Sequence, residues 1–296
     1  MTTTVRTRVA EQLERLNAPG GHLHTASSRS TWEMYGDKPE RLRFWETLIE
    51  TFLGEQAGVA SEGALIVVTA GPPGAGKSTV VDQLGQTYRS CRRIDSDRIK
   101  ELLVKRAVED RIYEQHLRRG LADGRPIMPL ELAGLVHEES VRIADEIKRR
   151  CLKAGENVLV EGTLNWDGLI DVYVDDLARY GYERLGIVSV EVAIDVALER
   201  ALDRWWLARS DVSNLDGGRF VPRAVIAACY ADDGRTIGGL NAAELARRAK
   251  RAGFDVDLDV VSDTGSRSML RRAPQAESDL DSKSASAHKI GSSEAP

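Results

Sequence analysis

No apolar run in this 296-residue chain approaches the roughly 20 residues that a membrane-spanning helix needs, so the sequence predicts no membrane span. Cysteine is scarce too. Cys91, Cys151 and Cys229 are far apart and lie outside any CxxC or histidine-rich context. That pattern excludes a disulfide framework or a zinc cage, and it reads as ordinary thiols of a reducing compartment. A basic excess is also lacking: 41 Lys and Arg against 46 Asp and Glu leave a net charge of −5. Such a balance argues against bulk binding to nucleic acid or to a membrane surface. The opening M-T-T-T-V-R-T-R-V-A-E-Q-L-E reaches acidic residues before any apolar core, unlike a secretory signal peptide. The sequence contains no internal repeat. With 42% hydrophobic and 29% charged residues, there is enough apolar material for one sizeable core plus extensions, and the sequence predicts a soluble, cytoplasmic protein.

What is present concentrates at one point. The apolar run Ala64-Leu65-Ile66-Val67-Val68-Thr69-Ala70 leads into Gly71-Pro72-Pro73-Gly74-Ala75-Gly76-Lys77-Ser78-Thr79. This is a buried strand followed by G-x-x-x-x-G-K-[ST], the phosphate-binding P-loop. Glycines let the backbone wrap around phosphate without Cβ clashes, so successive N–H groups point inward at the anion. The helix starting near Lys77 adds its positive N-terminal end. Lys77 is then the point charge for the β- and γ-phosphates of a nucleoside triphosphate, and Ser78 supplies a hydroxyl for Mg²⁺.

A nucleotide site does not by itself separate switch, motor and kinase. The base-reading N-K-x-D of a GTPase switch is absent. The nearest imitation of a metal-binding strand end is Val172-Tyr173-Val174-Asp175-Asp176. There Leu169, Ile170, Tyr173, Val174, Leu177 and Tyr180 recur at helical spacing, which predicts an amphipathic helix with both aspartates on its wet face. Kinase chemistry has positive signals. A short strand around Cys91 to Ile94 would deliver Asp95 and Asp97 beyond the carboxyl edge of a parallel sheet, where ligands sit. Asp97 is the candidate general base for a substrate hydroxyl, and either aspartate could also cap the next helix. A second strand, Asn157 to Glu161, ends in Glu161-Gly162-Thr163 at the same crevice.

The order G-P-P-G-A-G-K-S-T, I-D-S-D-R-I-K, G-E-N-V-L-V-E-G-T resembles the zeta-toxin family of P-loop kinases over roughly residues 60 to 230. The resemblance implies transfer of the ATP γ-phosphate to the 3′-hydroxyl of the amino sugar in UDP-N-acetylglucosamine, and an antitoxin protein as a partner. It implies Lys77 as the P-loop lysine, Asp97 as the base, and Glu161 and Thr163 as sugar-nucleotide contacts. His137-Glu138-Glu139 is similar to the family's H-E-E-S. Arg204 and Arg219 fit its two phosphate-binding arginines, a role suited to planar guanidinium groups facing a phosphoryl in flight. The polar, glycine-bearing stretch Ser210 to Gly218 reads as a lid between them. Alternatively, Arg200, Arg204 and Arg209 lie on the solvated face of a helix.

The chain also departs from the family pattern. Asn165 stands where small plasmid-borne members carry arginine, Asp145-Glu146 where their catalytic helix has glutamate, and Cys229-Tyr230-Ala231 where they have H-D. Asn165 and Asp145 remain candidate substrate contacts, with Arg98 as the cation that could compensate at the diphosphate.

The expected fold is α/β, a P-loop kinase with a mostly parallel sheet flanked by helices. Residues 1–58 form a helical extension anchored by Trp32, Tyr35, Phe44 and Trp45, and residues 59–262 the kinase domain. Residues 263–296, rich in Ser, Ala and charge, form a disordered tail. Two other functions stay open at this point. One is a different P-loop small-molecule or nucleic-acid-end kinase. The other is a non-catalytic nucleotide-binding component of a toxin–antitoxin pair.

Overall fold

Three helices lead into the sheet: α1 (Val5–Asn17), α2 (Thr31–Tyr35) and α3 (Pro39–Gly54). Local chemistry starts them. The Thr4 and Ser30 hydroxyls accept from the Thr7 and Glu33 amides as N-caps, and Pro39 sits in the first turn of α3. The chain then alternates strands and helices: β1 (Leu65–Ala70), α4 (Lys77–Gln83), α5 (Gln86–Arg89), β2 (Arg92–Asp95), α6 (Ser96–Glu109) and α7 (Glu114–Leu117). A 3₁₀ segment, Pro129–Val136, runs into α8 (His137–Lys153), followed by β3 (Val158–Glu161), α9 (Gly168–Tyr180) and β4 (Arg184–Glu191). Then come α10 (Ile194–Ser210), α11 (Arg223–Ala227), α12 (Ile237–Arg251), β5 (Asp255–Ser262) and β6 (Arg267–Leu270). This computed structural model describes residues 4–83, 86–262 and 267–270. Among them no helix is long and apolar enough to cross a membrane.

All six residues of β1 are buried, which is possible only where both faces of the sheet are covered. The strand order β2-β3-β1-β4-β5-β6 places it accordingly, parallel to β3 on one side and to β4 on the other. Side chains alternate along a strand. Ile66, Val68 and Ala70 therefore enter a core with α3, α6, α8, α9 and α12, while Leu65 and Val67 face Val81, Ala197 and Ala201 on the opposite side. A third cluster lies under α1, where Val9, Leu13 and Leu16 meet Leu132, Trp205 and Phe220.

The extension is fastened to the domain by a buried ion pair. Arg41 of α3 donates to both carboxylate oxygens of Glu139 at 2.6 and 2.8 Å, and the Trp45 indole donates to the same carboxylate. Trp32 lies under the Arg142 guanidinium at 3.9 Å.

Three expectations need correction. Residues 267–270, assigned from sequence to the disordered tail, form β6, antiparallel to β5; the remainder of that tail assignment lies outside the described residues. Asp176 is not on the wet face of α9 beside exposed Asp175. It turns in to Lys148 at 2.9 Å, because α8 packs along that side.

Arg209 is the third, and it is fully buried rather than solvated. Its guanidinium is shared by Asp123 and Glu131 at 2.7 to 2.9 Å, and Glu131 also accepts from the Trp205 indole. Two carboxylates, one from a neighbouring turn and one from the 3₁₀ segment, compensate the burial of Arg209, and no helical periodicity reports such partners. Arg209→Ala would strand Glu131 without its cation. The expected loss is about 3–5 kcal/mol, the usual effect of breaking a buried pair, read as a lower urea midpoint at unchanged m-value. A loss under about 1 kcal/mol, the surface-pair range, would contradict a structural role.

Candidate active site

The P-loop leaves β1 at the carboxyl edge of the sheet and closes into α4. Gly74 has φ +86, and a Cβ there would lie 2.3 Å from the Ala197 carbonyl oxygen of α10. Gly76 also has positive φ, but a Cβ would meet nothing within 4 Å, so this side of the loop is open space where an anion can sit. Lys77 Nζ donates to the Gly71 and Pro72 carbonyls at 2.9 and 3.0 Å. Burial pushes its ammonium down to about 8, against the pull of Asp97 and Glu161.

The two aspartates at the end of β2 have separate tasks. Asp95 is the N-cap of α6, its Oδ1 accepting from the Asp97 amide at 2.8 Å. Burial and the negative charges of Asp97 and Glu161 raise its carboxyl to about 6. Asp97 is thereby relieved of capping. It accepts from Lys100 Nζ at 2.9 Å and pairs with Arg219. Burial alone would raise Asp97, but Lys100 and Arg219 hold it at about 2. Arg204, at the solvent-facing mouth, has Arg219, Asp97 and Asp95 as electrostatic neighbours; desolvation and then Arg219 lower its pKa.

Glu161 ends β3 beside the P-loop. Its Oε2 accepts from Ser78 Oγ at 2.8 Å, and its Oε1 pairs with Arg93 of β2. Thr69 of β1 holds the next residue from both sides, donating to the Gly162 carbonyl and accepting its amide at 3.0 Å each. The Thr163 carbonyl accepts from the Gly71 amide at 3.1 Å, joining the E-G-T turn to the start of the P-loop. Ser78 Oγ and Glu161, with Asp95 as electrostatic neighbour, form an all-oxygen set. That suits a hard cation such as Mg²⁺. Among the described residues no group of three or more His, Cys, Asp or Glu forms a closed cage. Mg²⁺ is commonly held by one or two carboxylates plus substrate phosphates, so the set fits.

The remaining predicted residues divide. His137 opens α8 with Lys100, Asp97 and Arg219 as electrostatic neighbours; crowding by protein, then Lys100, pushes its imidazole down to about 4. Three others lie outside the cluster. Arg98 is one helical step, about 100°, from Asp97 and turns to Glu55 and Glu101. Glu138 is likewise rotated from His137 and pairs with Arg142 along α8. Asp145 is two turns further down, where Lys148 and Asp176 are its charged neighbours. Asn165 is partly engaged. One N–H of its Nδ2 donates to the Ala228 carbonyl at 3.0 Å, while Oδ1 is enclosed with no hydrogen-bond partner among the described residues.

Sequence reasoning missed Lys100 and Arg93. Both were legible in principle, Lys100 at i+3 from Asp97 on a helix and Arg93 two residues before Asp95 on a strand.

The family model described as zeta toxin matches residues 55–252. Among solved structures, the AvrRxo1-ORF1:AvrRxo1-ORF2 complex with sulphate ions is similar at TM-score 0.55 and 15% identity, over 80% of this chain and 70% of that one. The AvrRxo1-ORF1:-ORF2 structure with ATP is similar at TM-score 0.54 and 15% identity, over 78% and 66%. A chain from the PezAT chromosomal toxin–antitoxin system of Streptococcus pneumoniae is similar at TM-score 0.50 and 14% identity, over 76% and 79%. At these identities the likeness is one of fold. No curated protein matches the chain.

Proposed function

The chain belongs to the zeta-toxin family of P-loop kinases, and from this premise we propose that it transfers the ATP γ-phosphoryl group to a hydroxyl of a small molecule, with the amino-sugar 3′-hydroxyl of UDP-N-acetylglucosamine as the acceptor. One observation carries the reading. A carboxylate aligned by Lys100 and Arg219 stands within the electrostatic reach of the P-loop lysine, at the carboxyl edge of the sheet.

In the reaction the acceptor oxygen attacks γ-phosphorus, its proton passes to Asp97, and the bond from γ-phosphorus to the bridging oxygen of ADP breaks. Lys77 exchanges the carbonyls of Gly71 and Pro72 for phosphate oxygens. Arg219 exchanges Asp97 for the phosphoryl group and meets it together with Arg204. Phosphate arrival thus makes the base stronger: a carboxylate at about 2 is a poor proton acceptor, and losing Arg219 removes one of the two cations that hold it there, leaving Lys100 to align it. Mg²⁺ held at Ser78 and Glu161 would neutralise charge on the phosphates. The family placement supports an antitoxin partner as well.

Incubating the protein with γ-labelled ATP and a panel of hydroxyl metabolites tests the proposal. Label should move to a sugar nucleotide, and a wild type that labels none of them would remove the assigned substrate. The pH profile is a second check. Lys77 titrates at about 8 in the free enzyme, so it loses its charge as pH rises past that value. The kcat/KM for ATP should therefore fall on the alkaline side near pH 8. Bound phosphate favours the ammonium, so the limb in kcat should lie higher. Coincident limbs would assign the titration to another group.

A further inference from the structure

The site's two arginines stand on different segments, Arg204 on α10 and Arg219 in the stretch before α11, and both segments rest on α1. That helix precedes residues 55–252, which the family model covers. Arg6 of α1 reaches Glu199 at 3.1 Å and Asp203 at 2.8 Å on α10, the second adjacent to Arg204. Glu14 accepts the Arg223 amide at 2.9 Å, at the start of α11. Pro222 precedes that amide, and its ring restricts how the chain back to Arg219 can turn. Val9 and Leu13 between these two ties, and Leu16 just beyond them, pack with Trp205 and Phe220. Those aromatics follow Arg204 and Arg219 in sequence and meet edge-on, with centroids 5.1 Å apart.

We infer that α1 is a positioning clamp for the phosphate-binding arginines, setting the spacing between Arg204 and Arg219 from outside the catalytic cleft. Two guanidinium groups repel, and bringing both onto one phosphoryl group needs a scaffold that holds their segments together. A helix that only filled the core would need Val9, Leu13 and Leu16. Arg6 and Glu14 add polar ties to the two arginine-bearing segments themselves.

This inference rests on the kinase reading, and its test separates the two. ATP turnover is measured for the full-length wild type, Lys77→Ala and the Arg6→Ala/Glu14→Ala double variant, with water as acceptor where no better one is known. The double variant should lose about 10-fold in kcat, since misplacing reacting groups by an ångström can cost about 10²-fold. Its KM for ATP should stay within about twofold, because the P-loop belongs to β1 and α4, and its melting temperature should stay near that of wild type. Glu14→Gln keeps an acceptor oxygen and should retain wild-type kcat. In an Arg219→Ala background the extra loss should largely disappear, the non-additivity expected of residues acting through one group. Wild-type turnover that Lys77→Ala abolishes but the α1 variants leave intact overturns the clamp alone. So does a loss that multiplies fully with Arg219→Ala, or one that simply follows melting temperature. A wild type that turns over no ATP with water or with any hydroxyl acceptor of the panel removes the kinase reading and the clamp with it.

Discussion

Lys77→Ala is expected to abolish phosphoryl transfer while leaving the fold intact. Among the described residues the ammonium donates to the Gly71 and Pro72 carbonyls of its own loop. Removing it breaks no tie between elements among those residues. In the reaction the same charge faces the phosphates, and one preorganised donor of this kind is worth about 10²–10³ in kcat. Weaker ATP binding adds to that loss. Burial lowers the lysine to about 8, so it is already partly stripped of water and ready to exchange carbonyls for phosphate. A melting curve and a single-turnover assay on one preparation check both halves. Near-normal turnover would mean that this loop is not the catalytic nucleotide site.

Asp97→Asn should lower kcat by about 10²–10⁴, the range for removing a general base, without raising KM for ATP. Affinity should hold because the amide no longer attracts Arg219, leaving that guanidinium free for the γ-phosphate. A raised KM with unchanged kcat would instead make Asp97 a phosphate- or metal-organising residue. Asp95→Asn is the control. Asparagine caps a helix about as well as aspartate, so α6 should stay in place and kcat should fall less. If Asp95 proved the more sensitive, the two aspartates would have exchanged roles. Arg219→Ala gives a related signature: losing the guanidinium should raise the Asp97 pKa and move the acid limb of kcat/KM upward.

Much of the site was legible because its signals are local. The P-loop is a contiguous string whose spacing is set by how backbone amides surround a phosphate, and the strand before it is recognisable from its nearly continuous apolar run, which the structure buries throughout. Asp97 and Glu161 could be placed because strand ends in a parallel sheet share one edge. The orientation of helical side chains was less legible: Arg98 and Glu138 each lie one helical step, about 100°, from Asp97 and His137, and Asp145 lies two turns further along α8. Arg98 consequently finds Glu55, and Glu138 finds Arg142.

The sequence by itself determined the class of fold, the nucleotide loop, the candidate base and the strand-end glutamate. Each depends on a short run of neighbouring residues whose backbone geometry dictates the chemistry. Only the tertiary structure decided which charges are paired and which remain available. Asp95 caps α6 while Asp97 meets Lys100 and Arg219, Arg209 is buried between Asp123 and Glu131, and Asn165 is turned to the Ala228 carbonyl. Pairing a charge is a question of which side chains converge after the chain has folded. The 78 to 122 positions between partners such as Glu131 and Arg209, or Asp97 and Arg219, carry no local trace of it.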